Sequence, residues 1–290
     1  MKITLKEIGL LILACVFFSA CGVKALIPGS VAGGSKPKIG DTVVAKWSAG
    51  SFYEGKVEKI DGSKMTIAWE DKSQSTSIDA ADIYTIPTAG TVPDVKEGEM
   101  ILAKTASGIY WNGAEVTGID AGVYKVRIVT GSTSVNVSGE KIIKVPAAAA
   151  ADFKQTAGST EFMIEAKKGK VTIPADYKPK KGDQVLAEWS TGSWWAGKID
   201  NISGSNIYVA WNDSSKPSAV NISKVLPLPT SSDKTMPKEK QFLIVKPDSG
   251  SSWLYGQASS INGSRVEVKL ANNQTKTITT GEFVLLNSGS

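Results

Sequence analysis

The sequence predicts an all-β protein made of four small five-stranded units, arranged as two duplicated tandem pairs. Three observations carry that expectation. The first is a repeat without gaps. Asp41-Thr-Val-Val-Ala-Lys-Trp47 returns as Asp183-Gln-Val-Leu-Ala-Glu-Trp189, Ser51-Phe-Tyr-Glu-Gly55 as Ser193-Trp-Trp-Ala-Gly197, and Ile67-Ala-Trp-Glu-Asp71 as Val209-Ala-Trp-Asn-Asp213. Each offset is 142 residues (183 − 41, 211 − 69), the mark of a duplicated segment. The second is a weaker copy inside each half. Lys96-Glu-Gly-Glu-Met-Ile-Leu-Ala-Lys104, Tyr110-Trp-Asn-Gly113 and Tyr124-Lys-Val-Arg-Ile128 follow the first unit. Lys238-Glu-Lys-Gln-Phe-Leu-Ile-Val-Lys246, Trp253-Leu-Tyr-Gly256 and Arg265-Val-Glu-Val-Lys-Leu270 follow the third. The third observation is rhythm: runs of Val, Ile, Thr and aromatic residues are broken by Gly, Ser and Asp about every eight to twelve residues, the spacing of short strands and turns.

These signals place the units at 38–88, 96–146, 180–228 and 238–287. Within the first, strands are expected over Thr42–Trp47, Phe52–Ile60, Lys64–Trp69, near Ser75–Ile78, and over Ile83–Ile86, with tight turns at Asp61-Gly62 and, in the third unit, Ser203-Gly204. A unit this small buries little core on its own, so the members of each pair are expected to pack together. Residues 147–179 read as a linker between the pairs; Glu161–Ala166 within it suits a helical turn or two, or an added strand.

Composition narrows the chemistry. Hydrophobic residues make up 41% and charged residues 21%, enough for a buried core. The sequence has no histidine and only two cysteines, Cys15 and Cys21, both near the N-terminus. Ser-His and Cys-His catalysis and Cys/His zinc sites are thereby excluded. No phosphate loop or calcium loop appears. The chain is not expected to be an enzyme, and no cofactor or metal is expected. The net charge of +5 is small and spread out, which disfavours a nucleic-acid partner. The lysines at 167–170 and 178–181 read as solvated linker charge, with contact to a membrane surface as the sharper alternative.

Residues 1–21 have the build of an export signal: Lys2 and Lys6, an apolar run from Ile8 to Phe18, then Ser19, Ala20 and Cys21. The run is too short to span a membrane. Phe18-Ser-Ala-Cys21 resembles a bacterial lipobox, though Phe18 stands where Leu is usual. The resemblance implies an acylated Cys21 as the mature N-terminus, an envelope lipoprotein, and sorting to the outer membrane, since Gly22 follows. Simple secretion is the plainer alternative. Residues 22–37, rich in Gly, Ser and Pro, then read as a flexible tether.

Val44-Ala-Lys-Trp47, Phe52-Tyr-Glu-Gly-Lys-Val57, a turn and Ile67-Ala-Trp-Glu-Asp71 resemble the Tudor family, including the related Agenet modules. The likeness covers most of the odd units; the even units share only spacing and hydrophobic pattern. It implies a five-stranded SH3-like barrel. In chromatin-reading Tudor modules, aromatic residues and an acid cage a methylated Lys or Arg. Carried over by position, the cage is Trp47, Tyr53, Trp69 and Asp71 in the first unit, and Trp189, Trp195, Trp211 and Asp213 in the third. The last aromatic of that cage falls near Ser73 and Ser215, so the match is incomplete. A weakly hydrated ammonium is drawn to ring faces by about 0.5–2 kcal/mol per well-placed ring.

The matching places of the even units hold Thr105, Trp111, Ile128 and Thr130 in the second and Pro247, Leu254, Leu270 and Asn272 in the fourth. The fold therefore does not require the aromatic set. Other readings stand beside this one. Trp69 shares strand parity with Met65 and Ile67, and Trp211 with Ile207 and Val209, so both suit a core as well as a pocket. Trp47 and Trp189 read as rim residues, and Tyr53 and Trp195 as facing away from Phe52 and Trp194. Asp71 and Asp213 suit ordinary turn acids. The leading expectation is an anchored, non-catalytic adaptor for a protein or peptide, methylated Lys or Arg included. The alternatives are binding of a cell-wall component such as peptidoglycan, and a structural assembly role. Oligomeric state is left open.

Overall fold

The structure is a computed structural model that describes residues 36–233 and 235–287. The export signal, Cys21 and most of the tether lie outside the described residues. The first unit contains β1 (Thr42–Ser48), β2 (Ser51–Asp61), β3 (Lys64–Trp69), β4 (Thr76–Asp79) and β5 (Ile83–Thr85). The second contains β6 (Met100–Ala103), β7 (Tyr110–Asp120), β8 (Val123–Ile128), β9 (Ser134–Ser138) and β10 (Ile142–Lys144). After a helix, α1 (Ala147–Lys168), come β11 (Gln184–Ser190), β12 (Ser193–Ser203), β13 (Asn206–Trp211), β14 (Ser218–Asn221) and β15 (Val225–Pro227). The last unit holds β16 (Phe242–Val245), β17 (Ser252–Asn262), β18 (Arg265–Leu270), β19 (Thr275–Thr279) and β20 (Phe283–Leu285).

Every ladder is antiparallel, and in the first unit the path runs β4-β3-β2-β1-β5. The long second strand serves two partners: β2 pairs with β1 through Thr42↔Lys56 and with β3 from Gly55↔Trp69 to Asp61↔Lys64. A bulge between Val57 and Lys59 lets it turn from one to the other. The same bulge recurs at Val116/Gly118, Ile199/Asn201 and Ala258/Ser260. The two-residue turn after β2 needs a left-handed residue, which Gly62 supplies at φ 59°. Each unit has its own core. In the first, Val43, Ala45, Val57, Met65, Ile67, Trp69 and Ile83 come from four of the five strands.

The pairs are joined by backbone pairing between their long strands. Ser51↔Asn112, Phe52↔Trp111 and Tyr53↔Tyr110 fuse the first two units into one ten-stranded sheet, β10-β6-β7-β2-β1-β5 at its centre. Trp194↔Trp253 and Trp195↔Ser252 do the same for the other pair. Across each seam lies a second core: Val44, Phe52, Tyr84, Leu102, Trp111 and Ile143 in the first pair, Leu186, Trp194, Leu226, Ile244, Trp253 and Tyr255 in the second. Sharing this layer gives units of marginal size more apolar surface to bury.

The segment expected to be a linker is largely helix. α1 covers 22 residues, far more than the turn or two weighed for Glu161–Ala166. Its first half sends Phe153 and Ala157 into the seam core of the first pair. Its second half sends Ala166, with Phe162 and Met163 beside it, into that of the second pair. Phe153 and Phe162 are nine residues apart, which at 100° per residue puts them about 180° apart around the axis. The helix is therefore a staple between two sheets, with a different apolar side at each end. Phe153 lies on Gly113, where an added Cβ would meet the ring at 3.0 Å.

Candidate aromatic binding site

The candidate residues gather at one end of each odd-unit core. Val43 and Ala45 face that core, and Trp47, two residues on, projects past its edge. A register irregularity between Lys46 and Ser48 falls on Trp47, and an equivalent one between Glu188 and Ser190 falls on Trp189; such bulges re-aim a side chain. Both tryptophans are rim residues, 44% and 57% exposed. Tyr53 and Trp195 are half-buried and pack on the unit cores. Phe52 and Trp194, their strand neighbours, face the seam cores instead.

Trp69 and Trp211, 4% and 5% exposed, form the floor and belong to the cores. Each indole N–H donates to the first residue of the next strand, Trp69 Nε1 to Thr76 Oγ1 and Trp211 Nε1 to Ser218 Oγ, both at 3.0 Å. The core and pocket readings of these rings are thus compatible: each belongs to a core, while Trp69 also meets Trp47 and Trp211 also lines a cavity. The acids sit on tight turns. Asp71 Oδ1 accepts from Ser73 N at 2.9 Å, and Asp213 Oδ1 from Ser215 N at 3.0 Å. Ser73 beside it holds the Asp71 carboxyl below the usual range, and Ser215 acts likewise on Asp213. Both acids are exposed and do double duty as turn formers and fixed negative charge.

The two sites differ in shape. In the third unit Trp189 and Trp195 meet edge to face, 5.9 Å between centroids at 69°. A cavity of about 80 Å³ opens there, lined by Trp189, Trp195, Trp211, Asp213 and Ser215. That is roughly half the volume of a cavity able to hold benzene, about 150 Å³. In the first unit Trp47 lies flat on Tyr53, 5.0 Å apart at 10°, with Trp69 edge-on at 5.2 Å. Rings stacked at that separation are in contact with each other, so no group fits between them. A fourth ring, Tyr110 from the second unit, meets Tyr53 edge-on at 5.0 Å. Tyr110 was not among the expected residues; its place is visible only once β7 is paired with β2.

The even units need one correction. Trp111, aligned in sequence with Tyr53, is the partner of Phe52 across the seam and lies 1% exposed in the seam core. The bulges at Val57/Lys59 and Val116/Gly118 set the register, and they make Asn112 the counterpart of Tyr53. Asn112 Nδ2 donates to Thr105 Oγ1 at 2.7 Å, so a polar pair occupies the place of the Trp47–Tyr53 stack. The Trp111 indole N–H donates to Glu54 Oε1 at 2.8 Å, which Lys104 also binds at 2.7 Å. In the fourth unit the turn equivalent to that of Asp213 holds Asn272, whose Oδ1 accepts from Gln274 N.

Among the described residues no helix is long and apolar enough to cross a membrane, and no cluster of three or more His, Cys, Asp or Glu side chains is arranged to hold a metal.

No protein-family model matches the chain, and no curated protein does. Among solved structures the chain is similar to Arabidopsis thaliana AGDP1 AGD34, at 16% identity over 38% of this chain and 82% of that one, TM-score 0.29. It is similar to the ADCP1 tandem Agenet domain 3-4, at 16% identity over 38% of this chain and 80% of that one, TM-score 0.28. A third is the four MBT repeats of Drosophila melanogaster Sfmbt in complex with the peptide RHR(me)KVLR, at 10% identity over 86% and 88%, TM-score 0.18. Scores this low carry no functional weight, so function rests on the side chains of this chain.

Proposed function

We propose that this chain is a non-catalytic recognition protein that takes a methylated ammonium or guanidinium headgroup, carried by a protein or peptide, into the aromatic pocket of the third unit. The observation that carries the reading is the cavity formed by Trp189, Trp195, Trp211 and Asp213. Three ring surfaces around a small volume suit a cation whose methyl groups have stripped it of water, and the Asp213 carboxylate supplies opposite charge at the mouth. At about 0.5–2 kcal/mol per ring, three rings supply about 1.5–6 kcal/mol, which together with the Asp213 charge suits millimolar to micromolar binding, about 4–8 kcal/mol. The equivalent set in the first unit, Trp47, Tyr53, Trp69 and Asp71, is a second site of the same kind with its rings closed together.

The same reading takes the four five-stranded units as SH3-like, Tudor-type barrels, with the odd ones presenting ligand sites. It places the chain at a bacterial cell envelope, anchored in the outer membrane through acylated Cys21. The export signal and lipobox-like Phe18-Ser-Ala-Cys21 support the anchor. Titration of intrinsic fluorescence with peptides carrying trimethyl-lysine, dimethyl-arginine or the unmodified residue tests the recognition. Preference for a methylated peptide, lost in Trp189→Ala, is expected; equal response to all three contradicts it. Radiolabelled fatty acid incorporated by the wild type and not by Cys21→Ala is the matching result for the anchor.

A further inference from the structure

The open and closed aromatic sites are built from almost the same parts. Rim tryptophan, floor tryptophan with its indole hydrogen bond to the next strand, and turn acid with its serine recur in both. Beyond the exchange of Thr76 for Ser218 as indole acceptor, two positions differ: Tyr53 against Trp195 on the long strand, and the residue that faces each of these across the seam. The cross-strand partner of Tyr53 is Tyr110, whereas that of Trp195 is Ser252.

The Tyr110 ring stands almost perpendicular to that of Tyr53, at 87°. Tyr53 is therefore held between two rings, the face of Trp47 on one side and Tyr110 on the other. A side chain flanked in this way has little choice of rotamer. Ser252 is too short to press on Trp195, which stands at 69° to Trp189 and leaves the cavity between them. The seam register brings the two side chains within reach, because directly opposite residues of an antiparallel pair have Cβ atoms about 5 Å apart.

We propose that the position shared by Tyr110 and Ser252, supplied by the even unit of each pair, decides whether the aromatic pocket of the neighbouring odd unit is open to a cationic headgroup. The inference rests on the pocket reading given above for its ligand, though not for its geometry. The even units thus gain a role beyond packing: each sets the access of its partner's site. The third unit presents the ready pocket, and the first opens only when Tyr110 is removed or moves aside.

The exchange of the two residues in the full chain tests this, with one readout that needs no ligand. In Tyr110→Ser, nuclear Overhauser contacts between the Trp47 and Tyr53 rings should disappear, and tetramethylammonium should gain a second binding site. In Ser252→Tyr, tetramethylammonium affinity should fall about ten-fold, the equivalent of one ring contact. Ring contacts retained in Tyr110→Ser overturn the proposal and assign the difference to Tyr53 against Trp195. Unchanged affinity in Ser252→Tyr overturns it as well. A wild-type chain that ignores tetramethylammonium removes the recognition reading alone, since the ring contacts still judge the gate.

Discussion

Truncating Trp189 to alanine separates binding from folding more cleanly than any other change at the site. The ring is 57% exposed, and its aromatic contact is the edge-to-face approach to Trp195. Loss of one ring from the pocket should weaken cation binding by about 0.5–2 kcal/mol, or about two- to thirty-fold in Kd. Folding should change by less than about 1 kcal/mol, as for an exposed side chain outside the core. Trp211→Ala provides the contrast. That ring is 5% exposed, lies in the unit core and donates to Ser218, so its removal should cost about 3–5 kcal/mol of stability. Fluorescence or calorimetric titration with tetramethylammonium, beside urea unfolding of the same samples, measures both quantities. Trp189→Ala with wild-type affinity, or with a stability loss as large as that of Trp211→Ala, would refute the assignment of Trp189 to the rim.

Phe153→Ala should destabilise the chain by about 3–5 kcal/mol in chemical unfolding, because the ring is 3% exposed and joins α1 to the first pair; a change under 1 kcal/mol would mean that the helix is not a staple. Tyr84→Phe should raise stability by about 1 kcal/mol, since the buried Tyr84 hydroxyl has no hydrogen-bond partner among the described residues. Burial pushes that phenol up to about 12, with the Asp82 and Asp152 charges adding to it. The folded state thus holds the proton more tightly than the unfolded chain. The stabilisation is complete below the ordinary tyrosine range and lost as pH rises towards 12; alkaline unfolding should shift upward in Tyr84→Phe. Asp213 is held below the usual carboxylate range by Ser215. Cation binding should accordingly persist through the pH at which an ordinary Asp protonates and fall only below it, whereas in Asp213→Asn it should be weaker and flat in that range.

Strand positions were legible because period-two alternation and Gly turns are local signals. Lys64–Trp69 was placed to the residue, and the Gly62 turn followed from its dipeptide. α1 was hidden by its construction. Phe153 with Ala157 and Phe162 with Ala166 lie on opposite sides of the helix, so no single apolar stripe forms, and Ala147–Ala151 beside mid-helix Gly158 and Ser159 reads as a linker. At the site, Trp189, Trp195, Trp211 and Asp213 came from the position-by-position resemblance to Tudor modules, and the structure lines one small cavity with them. The Trp111 misalignment came from matching aromatics with aromatics, whereas the bulges set register. The contact of Tyr110 with Tyr53 lies between units, which no pattern within one unit encodes.

Indole N–H signals of the tryptophans, followed by NMR while tetramethylammonium is added, test the central claim most directly. Shifts confined to Trp189, Trp195 and Trp211, with Trp47 and Trp69 still, are the outcome that the open third-unit pocket and the closed first-unit stack require. Shifts spread evenly over all tryptophans, or none at the third-unit rings, would contradict it.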